Sequence, residues 1–174
     1  VSETTDTACG PLPPADRALG LYCDADHTIH LPYSRLAESA GEANEPAFLA
    51  TLAHEYGHHV QALTGVFTEA GHALSDATVS RENEVGRRLE LQATCFAGMF
   101  FDAARDTGLG DRASGPAVAV QDFAHWSGVE SHGGTQLQQR WATIGFDGGS
   151  LAECDTWNVP AADIGGAEQD RGSG

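Results

Sequence analysis

Five residues, His54-Glu55-Tyr56-Gly57-His58, constrain this chain more than any other stretch. They lie within Ala47–Thr64, a run that reads as one helix. Asn44-Glu45-Pro46 marks its start, with Pro where a missing N–H does no harm, and Gly65 its stop. Phe48, Leu49, Leu52, Val60 and Leu63 are expected to supply its apolar surface. Residues i and i+4 share a helix face, so His54 and His58 point the same way and can both ligate one Zn²⁺. Glu55 lies beside them, placed to take a proton from an activated water without being a ligand. Two inward-facing histidines flanking a glutamate would be costly to bury without a partner such as a metal. His59 is rotated by about 100° from His58 and cannot share a metal with His54, so it reads as structural or as support behind the site.

A catalytic zinc takes three protein ligands and keeps one position open. The same helix does not supply the third. In the pattern H-E-x-x-H-x-x-G-x-x-H, Gln61 stands where Gly belongs and Thr64 where the last His belongs. Glu90 is the leading candidate. It falls in the middle of a second long helix, predicted from Ser80 to about Arg105, with Glu82 and Glu84 in its first turn. Val85, Leu89, Phe96, Met99, Phe100 and Ala103 form the expected apolar stripe of that helix, and a carboxylate near such a stripe needs a reason. His72 and Asp76 are rivals, in a segment from Val66 to Val79 that reads as a connector with a short helical turn.

The 174 residues suit a single domain. Residues 1–20 read as irregular, and 160–174 as a flexible tail. Leu21-Tyr22-Cys23 and Thr28-Ile29-His30-Leu31 are extended, joined by a turn at Asp24–His27. This hairpin is expected beside the motif helix, where a sheet edge can hold an extended peptide. His27 and His30 read as surface residues. Ser114-Gly115-Pro116 opens a third helix ending near Gly128, and Thr135 with Gln138 has capping-box spacing at the start of a fourth that ends at Gly145. The fold class is therefore α+β, mainly helical.

A net charge of −16 argues against nucleic acid and against anionic membrane surfaces as partners. No apolar run approaches the ~20 residues of a membrane span, and no signal-peptide pattern appears, so the chain reads as a mature or trimmed form. Cys9, Cys23, Cys95 and Cys154 contain no C-x-x-C pair and suit two disulfides in an oxidising compartment. Of three possible pairings, Cys9–Cys23 and Cys95–Cys154 are favoured: the first staples the N-terminal segment, the second ties the C-terminal segment to a helix.

Four ordered segments resemble a known family. His54-Glu55-Tyr56-Gly57-His58-His59-Val60-Gln61 is similar to the active-site segment of the bacterial neutral zinc metallopeptidases. Arg88-Leu89-Glu90-Leu91-Gln92-Ala93-Thr94-Cys95-Phe96-Ala97-Gly98 resembles that family's R-L-E-L-Q-A-D-C-x-A-G. Ser131-His132-Gly133, with Gln139-Arg140-Trp141 and Gly145-Phe146, resembles its T-H-G segment together with the Q-R-x-R-W and G-[FY] motifs downstream of it. Tyr22-Cys23 with Ile29-His30-Leu31, and Cys154-Asp155-Thr156, resemble its N-terminal and closing cysteine segments. The resemblance implies a zincin-like fold, one Zn²⁺ per chain on His54, His58 and Glu90, and an extracytoplasmic location, secreted or in the cell envelope. Members often carry an N-terminal membrane anchor. Thr94 departs from the family's Asp, which would accept a hydrogen bond behind a ligand histidine.

The expected activity is zinc-dependent hydrolysis of a peptide or protein substrate, with Glu55 as general base and His132 as oxyanion donor, ahead of His125 and Tyr56. The competing readings are a weak or inactive zincin-fold binding or regulatory module, which Thr94 keeps open, and a non-peptide amide or ester hydrolase built on the same site; retention of Glu55 favours an enzyme.

Overall fold

Asn44 starts the motif helix as its sequence requires: its side-chain oxygen accepts from the Ala47 N–H at 3.2 Å, and Pro46 lies in the first turn. The computed structural model describes residues 6–14, 18–40, 44–75, 77–109, 115–123, 126 and 131–165. Its elements in order are β1 (Asp6–Thr7), β2 (Gly10–Pro11), β3 (Leu21–Cys23), β4 (Thr28–His30), α1 (Tyr33–Ala40), α2 (Glu45–Leu63), α3 (Val66–Leu74), α4 (Val79–Ala103), α5 (Pro116–Asp122) and α6 (Thr135–Phe146), then a 3-10 turn at Ala161–Ile164. The fold is α+β and mainly helical, as expected.

Both strand pairs are antiparallel hairpins. Leu21 pairs with His30, Tyr22 with Ile29 and Cys23 with Thr28, which places β3 against α2. The pair β1–β2 lies where irregular chain was expected. The disulfides join Cys9 to Cys23 and Cys95 to Cys154, in the favoured pairing. The first fastens the N-terminal hairpin to β3.

α4 is the central element, packed between α2 and α6. One core cluster joins Ala50 and Ala53 of α2, Ala97 and Phe101 of α4, Ala119 and Val120 of α5, Phe123 and Ala142. A second joins Leu91, Cys95, Trp141, Cys154 and Ile164. The packing face of α2 is not the one its larger residues suggested. Leu52 is 40% and Leu63 65% exposed, while Ala47, Ala50, Ala53 and Gly57 face inward. The reason is close approach. A Cβ on Gly57 would lie 2.5 Å from the Ala93 carbonyl oxygen, so only small residues fit between α2 and α4. The stripe expected on α4 is likewise only part of its buried surface: Phe100 and Ala103 are exposed, whereas Leu91, Ala93, Thr94, Cys95, Ala97 and Gly98 are buried. A helix covered on several sides has no single stripe.

Other differences are local. The expected connector contains the nine-residue helix α3, and α1 was not foreseen. The capping box on α6 does not form: Gly134 precedes the helix, Thr135 Oγ1 donates to the Trp126 carbonyl at 2.9 Å, and Gln138 is fully buried elsewhere. α5 ends at Asp122; residues 124–125 and 127–130 of the expected longer helix lie outside the described residues. The C-terminal chain is packed at least through Ile164, which is buried against α4, while 166–174 lie outside the described residues. No described helix is long and apolar enough to cross a membrane.

Candidate active site

The close contact of α2 with α4 brings three donors to one point. His54 Nε2 lies 3.0 Å from Glu90 Oε2, His58 Nε2 lies 3.1 Å from His54 Nε2, and His58 Nε2 lies 3.4 Å from Glu90 Oε2. Three lone pairs directed at one another demand a positive charge between them, a proton or a cation. Ligands held about 2.0–2.1 Å from a tetrahedral zinc are roughly 3.3 Å apart, so these separations fit that ion. His54, His58 and Glu90 form the one group of three or more possible metal ligands among the described residues. Of the rivals, His72 is solvent-exposed on α3 and Asp76 lies outside the described residues.

Each histidine is held from behind. His54 Nδ1 meets Thr94 Oγ1 at 3.1 Å, and Thr94 donates to Gln138 Oε1 at 2.6 Å. His58 Nδ1 meets Gln61 Oε1 at 2.8 Å. Phe123 and Trp126 pack against the His54 ring, with centroids 6.5 and 5.0 Å away.

Glu55 points into the same space and is 7% exposed. The backbone N–H of Tyr22, in β3, donates to its carboxylate. Gly20 leaves room above it, since a Cβ there would lie 3.0 Å from Glu55 Oε1. Burial, helped by the charge of Glu90, pushes the Glu55 carboxyl up to about 7 against the attraction of His58. Burial also opposes ionisation of Glu90, but His58 and His54 outweigh it and hold that carboxyl well below its ordinary value. His58 shows the converse: burial disfavours its cation, yet Glu90 raises it to about 9. Burial keeps His54 and His132 below the ordinary histidine value.

His132 completes the ring of polar groups. Its Nε2 is 3.4 Å from Glu90 Oε2, and its Nδ1 is 3.0 Å from Ser131 Oγ. His54, Glu55, His58, Glu90 and His132 all line one cleft of about 890 Å³, with Gly20, Leu21, Tyr22, Phe67 and Asn83 among its walls. Tyr56 is directed elsewhere: it is 46% exposed and lies against His59 and Phe100. His125 lies outside the described residues. His59 contacts the Tyr22 hydroxyl at 3.2 Å, and so braces the hairpin against α2. His27 reaches the same hydroxyl at 2.8 Å.

Sequence reasoning missed Gln61, Gln92 and Gln138. Glutamine has no charge and no ligand spacing, so no motif marks it. Gln61 and Gln92 did stand inside recognisable segments, and polar amides on the buried faces of two packed helices were the available signal.

Residues 1–122 match the family model described as "Putative neutral zinc metallopeptidase". The chain belongs to this family. The match takes in the three donors, Glu55 and Thr94, and stops before His132 and Gln138. Among curated proteins, "Uncharacterized protein YpfJ" of Escherichia coli (strain K12) is 31% identical over 170 residues, covering 88% of this chain and 58% of that protein. "Uncharacterized protein Rv2575" of Mycobacterium tuberculosis (strain ATCC 25618 / H37Rv) is 30% identical over 192 residues, covering 94% and 62%. The chain thus spans about three-fifths of the length of these relatives. No solved structure matches it. As a neutral zinc metallopeptidase family member, it carries a possible His-His-Glu zinc site whose donor atoms and spacing suit the metal in the family's name.

Proposed function

We propose that this chain is a zinc-dependent peptidase. The observation that carries the reading is Glu55: a buried carboxyl, held by the Tyr22 N–H and open to the cleft beside three convergent donors. A structural zinc site needs no such group, whereas a general base must lie within reach of the water it deprotonates. His54, His58 and Glu90 would hold one Zn²⁺, which supplies Lewis acidity toward a peptide carbonyl and water. Glu55 takes the proton of the attacking water on its carboxylate and passes it to the leaving amine. The Tyr22 N–H fixes that carboxylate, and the apolar wall of Phe123 and Trp126 keeps bulk water from the far side of His54. His132, whose Nδ1 meets Ser131 Oγ at 3.0 Å, is the donor to the developing oxyanion. β3 and the cleft walls receive an extended peptide. The two disulfides support an extracytoplasmic site of action, secreted or in the envelope.

The test is cleavage of a diverse peptide mixture by zinc-loaded protein, read by mass spectrometry and compared with Glu55→Gln. Cleavage by the wild type alone is expected. Equal silence from both, with one zinc per chain, would move the assignment to a binding or regulatory module.

A further inference from the structure

The two histidines of the donor set are backed by neutral side chains, and the direction of every hydrogen bond behind them is fixed by groups that act in only one sense. The first relay ends at the His132 carbonyl, which can only accept. Gln138 Nε2 donates to it, so Gln138 Oε1 faces Thr94. The single Thr94 hydroxyl proton goes to that oxygen at 2.6 Å. Toward His54 Nδ1, at 3.1 Å, Thr94 then has only lone pairs to offer, so Nδ1 carries the proton and Nε2 the lone pair.

The second relay ends at two such groups. The indole Nε1–H of Trp157 can only donate, and it reaches Gln92 Oε1 at 3.4 Å; the Cys154 carbonyl can only accept, and takes a bond from Gln92 Nε2 at 3.2 Å. Gln92 is thereby oriented. Its oxygen receives Gln61 Nε2 at 3.0 Å, which also donates to the Leu89 carbonyl at 2.9 Å. Gln61 Oε1 is left facing His58 Nδ1 at 2.8 Å and accepts its proton. Thr94, Gln61 and Gln138 are fully buried and Gln92 is 6% exposed, so water does not compete for these bonds.

We infer that Gln138 and Gln92 are positioning residues for zinc: through Thr94 and Gln61 they hold His54 and His58 in the tautomer whose Nε2 lone pairs face Glu90. This rests on the proposed metal site. It also gives a role to the chain beyond residue 122, which supplies Gln138, the His132 carbonyl, Cys154 and Trp157 yet lies outside the family match. Thr94 is not merely an uncharged replacement. Unlike Asp, a hydroxyl can accept or donate, and Gln138 removes the choice.

The test measures Zn²⁺ affinity by chelator competition and, in the zinc-loaded protein, the nitrogen that keeps its proton by ¹⁵N shifts of the imidazoles. Gln138→Leu is expected to weaken zinc about 10–100-fold. In a Thr94→Asp background, where the carboxylate accepts from His54 directly, Gln138→Leu is expected to cost little. Gln92→Leu is expected to weaken zinc in both backgrounds, since it acts through His58. Unchanged affinity for a folded Gln138→Leu protein would overturn the relay and leave the metal site standing, as would an equal loss in the Thr94→Asp background, which marks a packing defect. A wild type that takes up no zinc would overturn the metal reading and the relay together.

Discussion

Glu55 is buried at a cost to stability. Its carboxyl titrates near 7 in the fold against an ordinary 4.5. Below about pH 4.5 it is protonated in both folded and unfolded chains and has no effect. Between those values the fold retains a proton that the unfolded chain has released, so stability falls as pH rises and the full penalty applies above 7. Glu55→Gln is therefore expected to match the wild type near pH 4 and to exceed it near pH 8 by up to roughly 3 kcal/mol, checked by urea unfolding in chelator. A second pH effect comes from His58, which Glu90 lifts to about 9 despite burial. Zinc must displace that proton, so its apparent affinity is expected to climb about tenfold per pH unit up to that value, read by competition titration. If His132 acts as the proposed oxyanion donor, His132→Ala is expected to lower kcat and kcat/KM together by roughly 10²-fold, because such a donor acts in the transition state.

At the scale of elements, the site depends on how closely α4 lies to its neighbours. Glycines set that distance. A Cβ on Gly98 would fall 2.1 Å from the Ala142 carbonyl oxygen, and one on Gly145 would fall 2.0 Å from that of Cys95. Both contacts are with backbone, which cannot swing aside. Gly98→Ala and Gly145→Ala are expected to destabilise the fold by about 1–3 kcal/mol or more through overpacking, measured by thermal unfolding. Gly57→Ala has an additional consequence. It would push α2 from Ala93, on the helix that bears Glu90, and separate the donors; zinc affinity is expected to fall by more than the unfolding data alone would indicate. Propensity points the other way at all three positions, because Ala is the better helix former.

Across the whole molecule, one disulfide ties the N-terminal hairpin to β3, and a second, with the buried Arg88, ties the C-terminal segment to α4. Arg88 donates to the Thr156 and Val159 carbonyls and to Glu84, which anchors the C-terminal segment on α4. Cys95–Cys154 fixes the same segment across a separation of 59 residues. A closed loop of that size corresponds to about 4 kcal/mol of chain entropy, against about 3 kcal/mol for the 14-residue separation of Cys9–Cys23. Replacing Cys95 and Cys154 by Ala is expected to lower stability by an amount of that order. Because the segment carries Cys154 and Trp157, the same variant is expected to weaken zinc binding, which chelator competition would reveal.

The sequence alone determined which candidate donors the site holds and their local frame. The spacing of His54 and His58 places both on one face of any helix, Asn44 and Gly65 bound that helix, and Glu90 stood out as a carboxylate in the middle of a second one. The two short extended runs, Leu21–Cys23 and Thr28–Leu31, about the turn at Asp24–His27 were enough for the hairpin. These are short-range properties, set by backbone periodicity and by residues within a turn or two. Tertiary structure decided what depends on distance between helices. It put alanines and glycines, not leucines, on the buried face of α2, because the approach to α4 leaves no room for more. It turned Gln138 from an apparent helix cap into the residue behind Thr94. A hydrogen-bond relay among neutral amides has no periodicity and no charge to mark it; it exists only once α2, α4, α6 and the C-terminal segment lie within a few ångströms of one another.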